Sequence, residues 1–156
     1  MKPASIEEAQ RALPELGAAG KRVLFVGGRT QLRPGPAMDV ELSTLGLDRM
    51  VDYTPADQVV SAEAGMTLAA LQARLLASVE RYVKPGGLLV YAVCTLMAEE
   101  CDEQVDRFVK SFSQFRLEPP PPGFAPQCLD GRGFLRALPH RTGTDGFFAA
   151  RLRRIA

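Results

Sequence analysis

Two short stretches hold residues whose types and spacing could do chemistry. Cys94 ends the apolar run Leu88-Leu89-Val90-Tyr91-Ala92-Val93, with Thr95 beside it and Glu99, Glu100 and Glu103 following. A thiol at the end of a buried strand that opens to a cleft is placed for nucleophilic attack. The competing reading is packing, which spacing alone favours, because free cysteine is among the most buried residue types. The second stretch is Val26-Gly27-Gly28-Arg29-Thr30-Gln31-Leu32. Two glycines after a strand let successive backbone N–H groups turn toward one point, a nest that binds phosphate without any particular side chain. A plain tight turn leaves the same signature and is the commoner meaning.

The remaining reactive residues carry less. Cys94, Cys101 and Cys128 form no C-x-x-C pair and are odd in number, which predicts a reducing cytoplasmic setting, no disulfide framework and no zinc site. His140 is the only histidine, with no serine or cysteine tied to it by spacing, so a surface or structural role is expected. Arg151, Arg153 and Arg154 make a small basic end that could touch RNA phosphate, although such ends are more often simply solvated.

The elements that must position these residues can be read in order. Ser5 caps a helix over Ile6 to Leu13, with Glu7 and Glu8 in the first turn, and Gly17 to Gly20 stop it. Arg22 to Val26 is a strand running into the glycine loop. Asp39 to Leu42, Met50 to Tyr53 and Gln58 to Ala64 are further strands, read as antiparallel, the last two joined through Thr54 to Asp57. Thr67 caps a helix whose stripe of Leu68, Leu71, Leu75, Leu76 and Val79 holds until Lys84-Pro85-Gly86-Gly87. Leu88 to Val93 has the pattern of a strand buried on both faces. The acidic stretch after Cys94 starts a helix with Val105, Phe108 and Val109 inside, Phe115 to Leu117 is a short strand, and Gly143 to Gly146 turn into a last strand, Phe147 to Leu152.

With 156 residues, 46% of them hydrophobic, and a formal net charge of +1, the chain suits one compact domain or two small ones. It has no field strong enough to imply nucleic acid or an acidic membrane, so any RNA or phosphate site is local. The start shows no signal-peptide pattern, and no segment approaches the ~20 apolar residues that span a bilayer. A soluble, cytoplasmic protein without a membrane partner is expected.

Two families are resembled, one in each half. Residues 2–76 resemble the first part of a PCMH-type FAD-binding domain, closest to the FAD subunit of glycolate oxidase. The likeness runs through Pro3-Ala4-Ser5-Ile6-Glu7-Glu8, Val26-Gly27-Gly28-Arg29-Thr30, Leu42-Ser43-Thr44-Leu45-Gly46-Leu47-Asp48-Arg49, Asp52 to Val60 and Glu63 to Leu71. The resemblance implies a flavin oxidoreductase module in which Gly27, Gly28, Arg29, Thr30 and Gln31 hold the FAD pyrophosphate. The second glycine-rich region of that family has no counterpart after Ala77.

Residues 78–156 resemble the C-terminal end of the Sun/RsmB-type RNA cytosine-5 methyltransferases. That likeness runs through Tyr82-Val83-Lys84-Pro85-Gly86-Gly87 and the strand to Cys94-Thr95-Leu96, then Glu99 to Val105, and Leu138 to Leu152. It implies that Cys94 is the nucleophile adding to C6 of a cytosine in RNA, with S-adenosylmethionine as methyl donor and no metal. The family's glycine-rich S-adenosylmethionine loop and its Asp-Ala-Pro-Cys stretch are absent from the sequence, which implies a segment inactive alone.

The expected organisation is therefore a chimera, 1–77 from a flavin domain and 78–156 from a methyltransferase domain. The expected fold is α/β, a small mixed-sheet sandwich built from two truncated segments joined through one helix. Unpaired strand edges in such a fold predict self-association. A folded chimera without activity is the third reading, beside methyltransferase and flavin module.

Overall fold

Ser5 begins the first helix as its side chain predicts. Its Oγ accepts the Glu8 N–H at 3.2 Å while the Glu8 carboxylate accepts the Ala4 N–H at 2.8 Å, a reciprocal capping box. The computed structural model describes residues 1–29, 35–57 and 59–156, which fall into two units, Met1–Thr67 and Leu68–Ala156.

In the first unit, α1 (Ile6–Ala18) runs past Leu13 and through Pro14. It ends where Gly20 takes φ +64° and the N–H groups of Gly20 and Lys21 reach back to the carbonyls of Gly17 and Leu16. β1 (Val23–Val26) and β2 (Val40–Ser43) pair in parallel, Phe25 opposite Leu42, so the Asp39 to Leu42 segment, expected to run antiparallel with the strands that follow it, joins β1 instead. The difference arises because strand pairing is set by contacts between distant segments, which the local alternation of apolar and polar residues does not encode. β3 (Met50–Thr54) and β4 (Val59–Ala62) pair antiparallel around a 3-10 turn at Pro55–Asp57, as expected.

Leu42, Val26, Leu47 and Ala9 are buried in this unit. Gly65 lies so close to the 44–47 segment that a Cβ would stand 1.9 Å from the Thr44 carbonyl oxygen, so only glycine fits. Glu63 is buried there too. It accepts the Arg49 backbone N–H at 2.9 Å and the guanidinium Nη2 at 2.7 Å, and these bonds hold its carboxyl below the ordinary value.

The second unit is one sheet with helices on one side. α2 (Leu68–Val79) leads through a 3-10 turn to β5 (Leu88–Val93), and α3 (Asp102–Ser111) follows a 3-10 turn at Ala98–Glu100. β6 (Phe115–Glu118), β7 (Leu135–Ala137), α4 (Pro139–Thr142) and β8 (Phe147–Arg154) complete it. β8 is central, with β5 along one edge and β6 and β7 along the other, all antiparallel to it. The inward residues Phe148, Ala150 and Leu152 of β8 and Phe115 of β6 pack with Leu76 of α2 and Val105 and Phe108 of α3.

Among the described residues, the strands of the two units fall in separate sheets, so the α/β class is met by two sets of strands. The two-sided burial expected for Leu88 to Val93 is not what the fold provides. Leu89, Tyr91 and Val93 face the core, but Leu88 is 37% and Val90 56% exposed, because the helices cover only the other face and β5 is an edge strand.

Candidate functional site

Cys94 stands immediately after the last β5–β8 pair, Val93 opposite Phe148, and its side chain is exposed. The chain beyond it is held by three local contacts. The Thr95 Oγ1 accepts the Met97 N–H at 3.2 Å, the Thr95 carbonyl accepts the Cys101 thiol at 3.3 Å, and the Tyr91 hydroxyl donates to the Glu100 carbonyl at 2.7 Å. Gly146 brings the turn before β8 against this loop, where a Cβ would lie 3.1 Å from Leu96. The result is an open cleft of about 580 Å³ lined by Cys94, Thr95, Leu96, Met97, Asp145 and Gly146.

Sequence reasoning missed Asp145 as a neighbour of Cys94. The signal that could have found it is the β5–β8 pairing, which brings the residues just after Val93 beside those just before Phe147. Conversely, the acidic residues that follow Cys94 in sequence are partly used in packing. The Glu100 carboxylate accepts the Gln72 amide at 2.9 Å, and the Glu99 carbonyl accepts the buried Gln104 amide at 3.0 Å.

The other thiols differ from Cys94 in setting. Cys101 is fully buried, and burial pushes its thiol up to about 11, with Asp102 and Glu100 adding to the rise and Arg136 opposing it. Tyr91 is raised to about 12, first by burial and then by Cys101 and Glu100. Cys128 is half-buried in a 3-10 turn at Pro126–Cys128.

The basic end is consumed by the fold. Arg151 and Arg153 both bind the Glu118 carboxylate, at 2.7 and 2.6 Å, and these partners hold Glu118 below the ordinary carboxylate value, the Arg153 bond first. Arg154 donates to the Val83 carbonyl, pairs with Glu80 and lies over the Phe115 ring. The sequence favours a basic end that is simply solvated over one that touches phosphate; instead, carboxylates and carbonyls of the same unit hold all three arginines. His140 is exposed on α4.

In the first unit, Gly27, Gly28 and Arg29 turn away from the end of β1. Arg29 has φ +60°, a left-handed conformation that is uncommon outside glycine. Its guanidinium pairs with Glu41, and a cleft of about 280 Å³ opens between Val26 to Arg29 on one side and Glu41, Ser43 and Leu45 on the other. A Cβ on Gly28 would meet open space, so a ligand can approach its backbone. Thr30 and Gln31 lie outside the described residues. Among the described residues no group of three His, Cys, Asp or Glu could hold a metal ion, and no helix is long and apolar enough to cross a membrane.

Residues 51–153 match the model of the 16S rRNA methyltransferase RsmB/F family, and residues 1–89 match that of the FAD binding domain. The chain belongs to both families. Their matches overlap over 51–89, which contains α2, the helix in which the two resemblances meet. The RsmB/F portion is 41% identical over 96 residues to ribosomal RNA small subunit methyltransferase B of Thermus thermophilus, covering 62% of this chain and 23% of that protein. It is 40% identical over 91 residues to ribosomal RNA small subunit methyltransferase F of Aeromonas hydrophila, covering 56% of this chain and 19% of the relative. The chain thus spans about a fifth of the length of these RsmB/F relatives. The crystal structure of NSun6 from Pyrococcus horikoshii with SFG is similar in fold, with a TM-score of 0.51 at 22% identity over 99% of this chain and 41% of that one.

Proposed function

We propose that the RsmB/F segment carries the nucleophile of RNA cytosine-5 methyl transfer and that Cys94 is that nucleophile. The observation that supports this most is the contrast between thiols: Cys94 is exposed in a cleft beside Asp145, whereas Cys101 is buried with its thiol raised to about 11. In the step proposed, the Cys94 thiolate forms a C–S bond to C6 of a cytosine, and the electron pair of the C5–C6 double bond moves to C5. Water then protonates C5. A base then removes the hydrogen originally on C5, its electron pair re-forms the C5–C6 double bond and the thiolate is expelled, so the C5 hydrogen exchanges with solvent without any methyl donor.

S-adenosylmethionine does not fit the residues of the second unit. Gly86-Gly87 precede β5, while β5 itself leads through Cys94 and Thr95 into a 3-10 turn, so unit 2 has no glycine-rich loop running from a strand into a helix. The second unit by itself therefore offers no seat of that kind for the methyl donor. The test is release of tritium from RNA labelled at cytosine C5, with Cys94→Ala as control. Release that depends on Cys94 supports the assignment, and equal release from both proteins refutes it.

A second reading concerns the first unit. The left-handed backbone at Arg29 and the open approach to Gly28 favour a diphosphate group held by the Gly27–Gln31 loop, the pyrophosphate of FAD. FAD when bound would supply a redox-active ring, while the loop would contribute only backbone N–H donors to the diphosphate. Fluorescence quenching of added FAD tests it, and loss of quenching in Gly28→Val is expected, since that side chain would occupy the approach.

A further inference from the structure

β5 is built unlike an edge strand meant to face water. Its six residues, Leu88 to Val93, contain no charge and no proline, the usual devices that prevent edge pairing. Its hydrogen-bonding phase follows from the Arg154 N–H donating to the Gly87 carbonyl at 2.9 Å. Continuing the antiparallel alternation along the register Leu88–Arg153 to Val93–Phe148, the main-chain groups of Leu89, Tyr91 and Val93 point at β8. Those of Leu88, Val90 and Ala92 point away from it, toward the free edge.

The same three residues carry the exposed side chains of the strand, Leu88 at 37% and Val90 at 56%. An antiparallel copy of β5 satisfies both sets at once, with Val90 opposite Val90, Leu88 opposite Ala92, and the apolar side chains continuous on one face. Such pairing is two-fold by construction and closes on itself.

The ends of the strand are also complementary in charge. Exposed Lys84 lies just before β5, and exposed Glu99 and Asp145 lie at its Cys94 end. Lys84 and Glu99 have no ion-pair partner among the described residues. Antiparallel pairing brings the basic end of each copy toward the acidic end of the other, whereas a parallel arrangement would stack like on like.

We propose that the free edge of β5 is an interface for a second copy of this chain, centred on Val90. The decisive variant is Val90→Pro. The Val90 N–H faces the free edge, so proline removes the central inter-copy bonds while leaving the β5–β8 ladder intact.

Sedimentation of the full chain across a concentration series is expected to show a dimer that dissociates on dilution. Val90→Pro and Val90→Lys are expected to be monomeric at every concentration, with cooperative melts retained. If proline unfolds the protein, the lysine variant decides. Lys84→Glu is expected to weaken the dimer about tenfold or more, and adding Glu99→Lys in the same chain to recover it. A wild-type monomer at the highest concentration reached overturns the proposal, as does a folded Val90 variant that remains dimeric. A Lys84→Glu dimer as tight as wild type overturns the antiparallel arrangement.

Discussion

Alkylation of the three cysteines gives a sharp physical test of how the Cys94 loop is built. Cys101 is fully buried, and its thiol is displaced from 9.0 to about 11 by that burial. The thiolate is the species that reacts, so a displacement of this size lowers the reactive fraction about 100-fold at neutral pH. The Cys101 hydrogen also donates to the Thr95 carbonyl at 3.3 Å, and reagent must wait for the segment to open. Both effects act in the same direction. Iodoacetamide at pH 8, quenched at intervals and read by peptide mass spectrometry, is expected to label exposed Cys94 first. Cys101 should follow at least about 100-fold more slowly, and the difference should collapse in guanidinium. Labelling of Cys101 within tenfold of Cys94 in the folded protein would refute the packing argument.

Three other outcomes follow from the same contacts. Phe148→Ala empties a fully buried site against Phe134, 5.1 Å away between ring centroids, and should cost about 3–5 kcal/mol in denaturant melts. Gly65→Ala places a Cβ 1.9 Å from the Thr44 oxygen and should destabilise the first unit by about 3 kcal/mol or more, measured by hydrogen exchange on α1 and β2. The carboxyls of Glu63 and Glu118 are both lowered by arginine hydrogen bonds, so their contribution is present above the unfolded carboxylate value of about 4.3 and is lost as pH falls. The melting midpoint should drop on acidification below that value. Glu63→Gln should flatten the acid response of the first unit, seen in β3 and β4 exchange.

Local signals in the sequence were enough for most elements. Ser5 and Glu8 announce the start of α1, the stripe from Leu68 to Val79 marks α2, and Val105 and Phe108 are inside α3 because their spacing leaves no other face. What sequence could not supply was pairing between distant segments. The parallel partner of β1 lies across residues 27–39, and no local pattern encodes which strand it meets.

β7 and α4 were also unseen. β7 is short, and its neighbourhood is tied down by Arg136, which binds Asp102 at 2.7 Å and lies over the Phe148 ring, contacts from elsewhere in the chain. At the candidate site, Cys94 was legible as the residue ending a strand. Its neighbour Asp145 was not, because only the β5–β8 pairing brings the two together. The arginines near the C-terminus read as free charge in sequence, while their partners Glu118 and Glu80 stand more than thirty residues away.

Hydrogen exchange at cytosine C5 tests the proposed attack of Cys94 on cytosine most directly, because it needs no methyl donor. Tritium should leave C5-labelled RNA in the presence of this chain and stop with Cys94→Ala, while Cys101→Ala and Cys128→Ala retain release. Release that persists in Cys94→Ala, or none above the rate in buffer, would show that Cys94 is not the nucleophile.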